Sequence, residues 1–570
     1  MKKILVVHFE AIGDVLRATP AIRGLKERYP DSHLSFLTFP LCAEILENNP
    51  FIDRIIVYDK RKYRRELLKR KTPLKDIFFE VKSFIKSLQQ EKFDLVINLH
   101  STPHSAILTS LIKAKEVRGH FFDEFGQSSF GDKWTYYLML VTSSTGIARS
   151  VSHEELYALT ADVDMSFKEL FLNLTLEEKE RAASLLKEHK VTREDKLIAI
   201  HPGAGWPEKR WSEESFAKLA GSLLGQGAKV VFLGSKWERG GVERILKQME
   251  NEAINLTGQT SLREMAAIID QASLLISNDT CATHFAGALR TPSIILCGPT
   301  LIWSQSWDGN ILIQSDVRCA PCGHGEGCKN HICMEAIPPE AVLKAIELRE
   351  ILVKNGPGRN LLKDPSFKNV RLYYSGTEKK EGLFYYAPLR KEKDGIDKIL
   401  KKIMDLAFLD VWSRIDPPAF SQNRYGRNLI APKEIAHRIN SEFEFKEGKL
   451  LKKIGQAEEK FVEFVQLTTS AKVISDQAAR IVERKLFMPE IFSSLLNQLN
   501  EIDGKLVDSY KVSCYLVNLM IQDKRPPSFG TPEDILRFCK RSALLYDSLR
   551  EISLEMAKTL GEIKLEIKKL

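Results

Sequence analysis

Residues 4–14 read Ile4-Leu5-Val6-Val7-His8-Phe9-Glu10-Ala11-Ile12-Gly13-Asp14: four consecutive aliphatic side chains, then a polar, glycine-bearing stretch, then a helical pattern opening at Val15-Leu16. A short apolar run that ends in a glycine turn reads as a buried strand feeding a helix. The arrangement recurs where Leu197–His201 runs into Pro202-Gly203-Ala204-Gly205, and again where Val230–Leu233 runs into Gly234.

Outward from that strand, β-rich runs alternate with helical patterns. Ile4–Val7, Leu34–Thr38, Ile55–Tyr58, Leu95–Leu99 and Glu116–Arg118 form a first series. A second comprises Leu197–His201, Val230–Leu233, Ile254–Leu256, Leu274–Ser277, Ser293–Cys297 and Ile311–Ile313. Helical stretches such as Glu213–Leu224 and Ser261–Gln271 fill the gaps, and the charged segment Thr175–Lys196 reads as a joining helix and linker. This rhythm predicts α/β architecture with parallel sheets, in two tandem doubly wound domains over 1–175 and 176–354. After Gly356-Pro357-Gly358 the pattern becomes long helices broken at Pro417-Pro418, Gly448, Pro489 and Pro526-Pro527, so 355–570 reads as an all-α accessory domain. Its stripes Leu495, Leu499, Ile502, Leu506 and Ile552, Met556, Leu560, Ile563, Ile567 have helical spacing and predict a bundle core. Nothing in that region, Trp412 and Tyr425 included, reads as catalytic.

With 44% hydrophobic residues in 570, the chain has ample material for sizeable cores. Nine cysteines, of which Cys42, Cys281, Cys297, Cys514 and Cys539 are isolated, suit a reducing compartment better than a disulfide framework. The first apolar run is too short for a secretory leader, and no run approaches about 18 apolar residues; the expectation is a cytoplasmic chain that does not span a membrane. The net charge of +9 is uneven: nine bases from Lys60 to Lys75 face a single acid, Glu66. A solvated helix face is the plain reading of such a run. The sharper one is a contact for an anionic lipid or glycolipid, peripheral at the inner face of the cytoplasmic membrane. Nucleic acid is not an expected partner, because no finger, helix-turn-helix or RNP-like pattern accompanies the charge.

In doubly wound sheets, ligands bind beyond the carboxyl ends of the strands, against helix N-termini. Asp14 falls at such a place, where a carboxylate can serve as a general base or cap the following helix. Ser277-Asn278-Asp279-Thr280-Cys281-Ala282-Thr283-His284 joins a strand to a helix, and backbone donors there suit a diphosphate. His284 would add a hydrogen bond or partial positive charge, and Lys209 with Arg210 would add charge for the same phosphates. Farther on, Cys319-x2-Cys322-x5-Cys328-x4-Cys333 has the spacing to bring four thiolates to one ion. A site closed by four thiolates has no open position, which favours a structural zinc or iron over a catalytic one.

Taken in order, Gly13-Asp14-Val15 with Thr19-Pro20, His201-Pro202-Gly203 through Lys209-Arg210-Trp211, Leu256-Thr257-Gly258, Asp279-Thr280 with His284, and Gly298-Pro299-Thr300 carry a likeness. They resemble the ADP-heptose:lipopolysaccharide heptosyltransferases, glycosyltransferase family 9, over roughly the first 350 residues. The resemblance implies a GT-B fold of two Rossmann-like domains, with acceptor on the first and nucleotide-sugar on the second. It implies that Asp14 deprotonates the acceptor hydroxyl in an inverting displacement and that Asp279 holds the donor sugar's hydroxyls. Thr280 and the backbone of Cys281 would bind phosphate beside Gly203 and Ala204. Lys209 would meet the diphosphate, Glu238 the ribose and Thr260 the adenine, with His284 as the donor-site histidine and no catalytic divalent metal. Lys60, Arg61, Arg64, Arg65 and His100 are the acceptor-side candidates. Two residues depart from the family pattern: Cys281 replaces a glycine, and His8 stands where arginine or lysine is common. The four cysteines resemble a cluster in many relatives, some of which hold iron there, while the helical tail has no counterpart.

The function expected is transfer of heptose from ADP-L-glycero-D-manno-heptose to a lipopolysaccharide-core or related glycan acceptor. Two alternatives stand beside it: a GT-B transferase with another nucleotide-sugar or a protein acceptor, and a non-catalytic, metal-stapled scaffold whose tail assembles partners or oligomers.

Overall fold

The computed structural model describes residues 1–9, 11–69, 72–124, 126, 128–143, 151–164, 169–300, 309–317, 319–322, 328, 330–355, 361–377, 384–391, 396–414, 430–443, 445–483, 489–509 and 532–569. Arg70 and Lys71 of the basic run, Gly356-Pro357-Gly358, Pro417-Pro418, Tyr425, Cys514 and Pro526-Pro527 lie outside the described residues. The chain forms two compact units, one from 1–135 with 151–390 and the other from 136–150 with 391–570.

The first unit contains two sheets. In the first, β1 (Lys3–Val7), β2 (His33–Thr38), β3 (Arg54–Val57), β4 (Leu95–Asn98) and β5 (Glu116–Phe122) run parallel, and β6 (Ser128–Phe130) closes the edge antiparallel to β5; the order is β3-β2-β1-β4-β5-β6. In the second, β7 (Leu197–His201), β8 (Lys229–Phe232), β9 (Ile254–Asn255), β10 (Leu274–Asn278), β11 (Ser293–Cys297) and β12 (Ile311–Ser315) are parallel. Two antiparallel strands, β13 (Val370–Thr377) and β14 (Phe384–Pro388), extend it, giving β14-β13-β12-β11-β10-β7-β8-β9. Residues 370–377 and 384–388, inside the span read from sequence as helical, therefore belong to this sheet. Every side chain of β7, β10, β11 and β12 is buried, as expected of strands covered on both faces.

Each sheet reverses its winding once, between β1 and β4 and between β7 and β10. Ligand crevices of doubly wound sheets open at these switch points, beyond the strands' carboxyl ends. The segments that follow those strands carry Asp14, in the first turn of a helix, and His100 on one sheet, and Gly203, Ala204, Asp279 and Thr280 on the other. Arg263, buried on the helix Leu262–Gln271, pairs with Glu178 and donates from Nη1 to the carbonyls of Glu44 (3.2 Å) and Glu47 (3.3 Å), which ties the second half to the first.

The second unit is helical: Ile396–Arg414, Pro432–Glu442, Glu447–Glu483, Pro489–Ser509 and Pro532–Lys569. The stripe Ile552, Met556, Leu560, Ile563 and Ile567 is buried along the last helix, and Leu495, Leu499 and Leu506 are buried on the one before. Trp412 is buried against Phe408, with Tyr136 stacked at 6.3 Å, and Tyr137 stacks on Phe408 at 6.0 Å.

Candidate active site

Asp14 does not cap its helix. Ile12–Arg17 begins after Ala11, which holds φ 61° and makes no side-chain cap bond, and Asp14 sits inside the first turn. There a carboxylate gains from the helix dipole. Its Oδ1 accepts from Arg17 Nη1 at 2.7 Å, one turn on, and the side chain keeps 36% of its exposure, so it remains reachable from the cleft. Burial alone would raise this carboxyl; Arg17, then His153 and His8, outweigh it and hold the group well below the usual carboxylate range. Asp14 is thus ionised at neutral pH.

Behind it lies a buried set contributed by the helix His153–Ala161. Arg17 Nε approaches Glu154 Oε1 at 3.5 Å, so one guanidinium serves two carboxylates. Burial lifts Glu154 to about 7, against which Arg17 acts in the opposite direction. His8 Nε2 lies 3.1 Å from Tyr157 Oη and its ring 5.0 Å from that of His100. Burial first, then His100, lowers His8 to about 3, so the residue standing in place of a basic side chain is neutral.

Gly13 is where the two halves touch. A Cβ there would run into the imidazole of His284 on the helix Cys281–Leu289, so no larger residue fits while His284 keeps its place. Burial first, then Arg17, lowers His284 to about 4. It is a neutral imidazole, which of the two roles read from sequence leaves the hydrogen bond and not the partial positive charge. Lys209 Nζ pairs with Asp279 Oδ2 at 2.6 Å, Thr300 Oγ1 donates to the same oxygen at 2.9 Å, and Lys209 lies 4.5 Å over the Trp206 ring. Although burial opposes it, Lys209 keeps the Asp279 carboxyl below its ordinary value.

Thr280 caps the helix Cys281–Leu289, its Oγ1 accepting from Ala282 N at 3.3 Å. Burial, with Glu238 next, pushes the Cys281 thiol up to about 12, so it is an uncharged thiol at the helix start. Asn278 Nδ2 donates to the carbonyls of Pro202 (2.8 Å) and Gly203 (3.2 Å), joining the loops after β7 and β10, and Arg210 donates to Ala204 O at 3.2 Å. The Glu238 carboxylate accepts from Ser235 N and Oγ at 2.7 Å each and occupies the space that a side chain at Gly203 would need. Thr260 follows in the loop after β9, its buried Oγ1 without a protein hydrogen bond.

On the acceptor side, the basic residues lie on the helix Lys60–Lys69. Arg61, Arg64 and Arg65 border a cavity of about 670 Å³ that is also lined by Phe9, Ala11 and Ile12, which precede Gly13-Asp14 in the chain. Lys60 lies 5.1 Å over the Phe39 ring, and His100 meets Phe9 edge-on. Among the described residues, no three His, Cys, Asp or Glu side chains converge as a metal-holding group. Cys319, Cys322 and Cys328 are exposed and Cys333 is buried. Burial first, then Cys322, Cys319 and Cys328, pushes the Cys333 thiol up to about 11. Cys333 also packs on Gly298, in the loop that carries Thr300.

Arg17, Glu154, Tyr157 and Asn278 were not singled out from sequence. Arg17 carried a signal, a base one helical turn from Asp14. The helix bearing Glu154 and Tyr157 arrives from 140 residues away, and no local pattern announces it.

Residues 81–322 match the family model described as glycosyltransferase family 9 (heptosyltransferase). Lipopolysaccharide heptosyltransferase 3 of Escherichia coli K12 is 28% identical over 360 residues, which is 60% of this chain and 96% of that protein. Lipooligosaccharide heptosyltransferase 2 of Haemophilus influenzae is 27% identical over 315 residues, 52% of this chain and 83% of the other. Among solved structures, a family 9 glycosyl transferase from Veillonella parvula superposes with a TM-score of 0.49 at 24% identity, covering 62% of this chain and 98% of that one. The ADP-heptose lps heptosyltransferase II of E. coli gives 0.46 at 21% identity, covering 62% and 100%. The chain is thus similar to glycosyltransferase family 9 over residues 81–322, and its match to the E. coli K12 heptosyltransferase spans 96% of that protein.

Proposed function

We propose that the chain is an inverting GT-B glycosyltransferase that moves heptose from ADP-L-glycero-D-manno-heptose to a lipopolysaccharide-core or related glycan acceptor in the cytoplasm. The observation that carries this reading is the apposition of ionised Asp14, at the switch point of one sheet, to His284 on the helix that begins just after Asp279, at the switch point of the other. As the acceptor oxygen bonds to the anomeric carbon, its proton passes to Asp14, and the carbon–oxygen bond to ADP breaks with its electron pair going to the phosphate. Lys209 and the backbone donors at Thr280 and Cys281 meet that developing charge, so no divalent ion is required at the diphosphate. Asp279 is assigned to the sugar hydroxyls, Glu238 to the ribose, Thr260 to the adenine, and Gly203 with Ala204 to close phosphate approach. His284 contributes a hydrogen bond. Arg17 keeps Asp14 a carboxylate, and Lys60, Arg61, Arg64, Arg65 and His100 receive an anionic acceptor.

The four cysteines are assigned to a structural zinc or iron that braces the loop after β11; a donor set of four thiols suits such an ion, and no catalytic step uses it. The test of the function is Asp14→Asn. With ADP-heptose and a truncated core glycolipid, transfer followed by mass spectrometry should fall about 10²–10⁴-fold while ADP affinity is kept. Undiminished transfer would remove Asp14 from the mechanism.

A further inference from the structure

Glu154 is a titratable side chain beside Asp14 to which the proposed reaction gives no task. It stands in the first turn of the helix His153–Ala161 with 3% of its side chain exposed, and a carboxylate so placed needs a counter-charge. Among the described residues, the cation that pairs with it is Arg17, whose Nε lies 3.5 Å from Glu154 Oε1. The same guanidinium gives Nη1 to Asp14 Oδ1 at 2.7 Å, and the Arg17 side chain is itself only 10% exposed. Water therefore screens neither contact strongly, and one positive charge is divided between two carboxyl groups. Although burial opposes it, Glu154 and then Asp14 raise Arg17, as expected of a cation held by both.

The other charged and titratable groups near Glu154 are engaged elsewhere. Glu155 accepts from Ser152 N at 2.9 Å in the helix cap, and Tyr157 Oη meets His8 Nε2. Asp162, just past the helix, pairs with Arg28 at 2.9 Å and Arg118 at 3.3 Å. His153, with His8, acts on Asp14.

Proton transfer to a general base is easier the higher the base's own proton affinity. A neutral Glu154 leaves the charge of Arg17 wholly on Asp14, which is already held well below the usual carboxylate range. An ionised Glu154 draws part of that charge away. We infer that Glu154 is a positioning residue for transfer: acting through Arg17, and only as a carboxylate, it keeps Asp14 basic enough to take the acceptor's proton. The inference rests on the proposed role of Asp14 as the base. Burial places the change of state of Glu154 at about 7, inside the range over which the enzyme can be assayed.

The test compares the wild type with E154Q in single-turnover transfer from ADP-heptose to a truncated core glycolipid. Titrations of the acceptor and of other groups are common to both proteins and cancel in the ratio of their rates. That ratio, wild type over E154Q, should be about one at about pH 5 and rise about three- to tenfold by about pH 8, with ADP affinity equal in the two proteins. A ratio that does not change with pH, or a change that lies in ADP affinity, overturns the inference. The sharing of Arg17 is also read without any transfer. In urea denaturation at about pH 8, D14N/E154Q should lose more stability than the single variants do in sum, since it alone leaves the buried guanidinium without a carboxylate. Additive changes overturn the inference even where the rates differ. A wild type that transfers no heptose, with the excess loss in D14N/E154Q present, refutes the enzymatic reading while the shared guanidinium stands.

Discussion

Replacing Glu154 by glutamine probes the buried charge behind Asp14. The Glu154 carboxyl is raised by burial from 4.5 to about 7, so the folded protein holds its proton more tightly than the unfolded chain does. That contribution to stability is complete below pH 4.5 and is lost as pH rises through about 7. At 1.36 kcal/mol per pH unit, the loss amounts to roughly 3 kcal/mol by pH 8. Glutamine has nearly the same shape and no proton to lose. The two proteins should therefore be similarly stable at pH 5, and the variant the more stable at pH 8. The assay is amide exchange in the helix His153–Ala161, each protein compared at the same pH so that intrinsic rates cancel. The protection ratio of variant to wild type should rise about 10²-fold from pH 5 to pH 8 if this helix opens by local unfolding. A ratio that does not change over this range would show that Glu154 does not titrate there, and that Arg17 holds it charged throughout.

Other outcomes follow from the same contacts. Gly13→Ala should cost about 1–3 kcal/mol in urea denaturation by forcing a methyl group into the His284 ring, and G13A/H284A should lose less than the sum of the single changes. Additivity would place the two residues apart. Lys209→Met leaves Asp279 buried without its counter-charge and should cost about 2–4 kcal/mol, most of it restored in K209M/D279N, while both proteins bind ADP more weakly than wild type by calorimetry. Elemental analysis should find about one zinc or iron per chain, lost in C322S/C328S together with thermal stability while the rate of sugar transfer per folded molecule is kept. Absence of either metal from the wild type, or loss of turnover with folding intact, would refute the structural role.

Most of the parallel strands were legible because burial on both faces demands continuous aliphatic runs, and each run from Ile4–Val7 to Ile311–Ile313 overlaps a strand, although those at Ile55–Tyr58, Leu95–Leu99, Val230–Leu233 and Ile254–Leu256 overrun it by one residue. The hairpin β13–β14 was not, since its residues sit in a stretch whose surroundings read as helical; the pairs Tyr373-Tyr374 and Tyr385-Tyr386 were the β-prone signal available. Asp14 could be found because strand, glycine and carboxylate are contiguous. Its setting could not, because the cap belongs to Ala11 and the partners of Arg17 come from separate segments. The electrostatic state of His284 is likewise a property of packing: spacing gives a histidine one turn into a helix, whereas only its burial beside Arg17 makes it neutral.

The helical unit is assembled from two separated lengths of chain, and this imposes an order of events on synthesis. Tyr137 leaves the ribosome about 270 residues before Phe408, the ring on which it stacks, an interval of roughly 15–55 s at ordinary elongation rates. During that time the aromatic segment at 136–138 has been made but its partners have not, and the nascent chain must carry it unsatisfied. Shortening the protein at residue 390 would make that transient condition permanent.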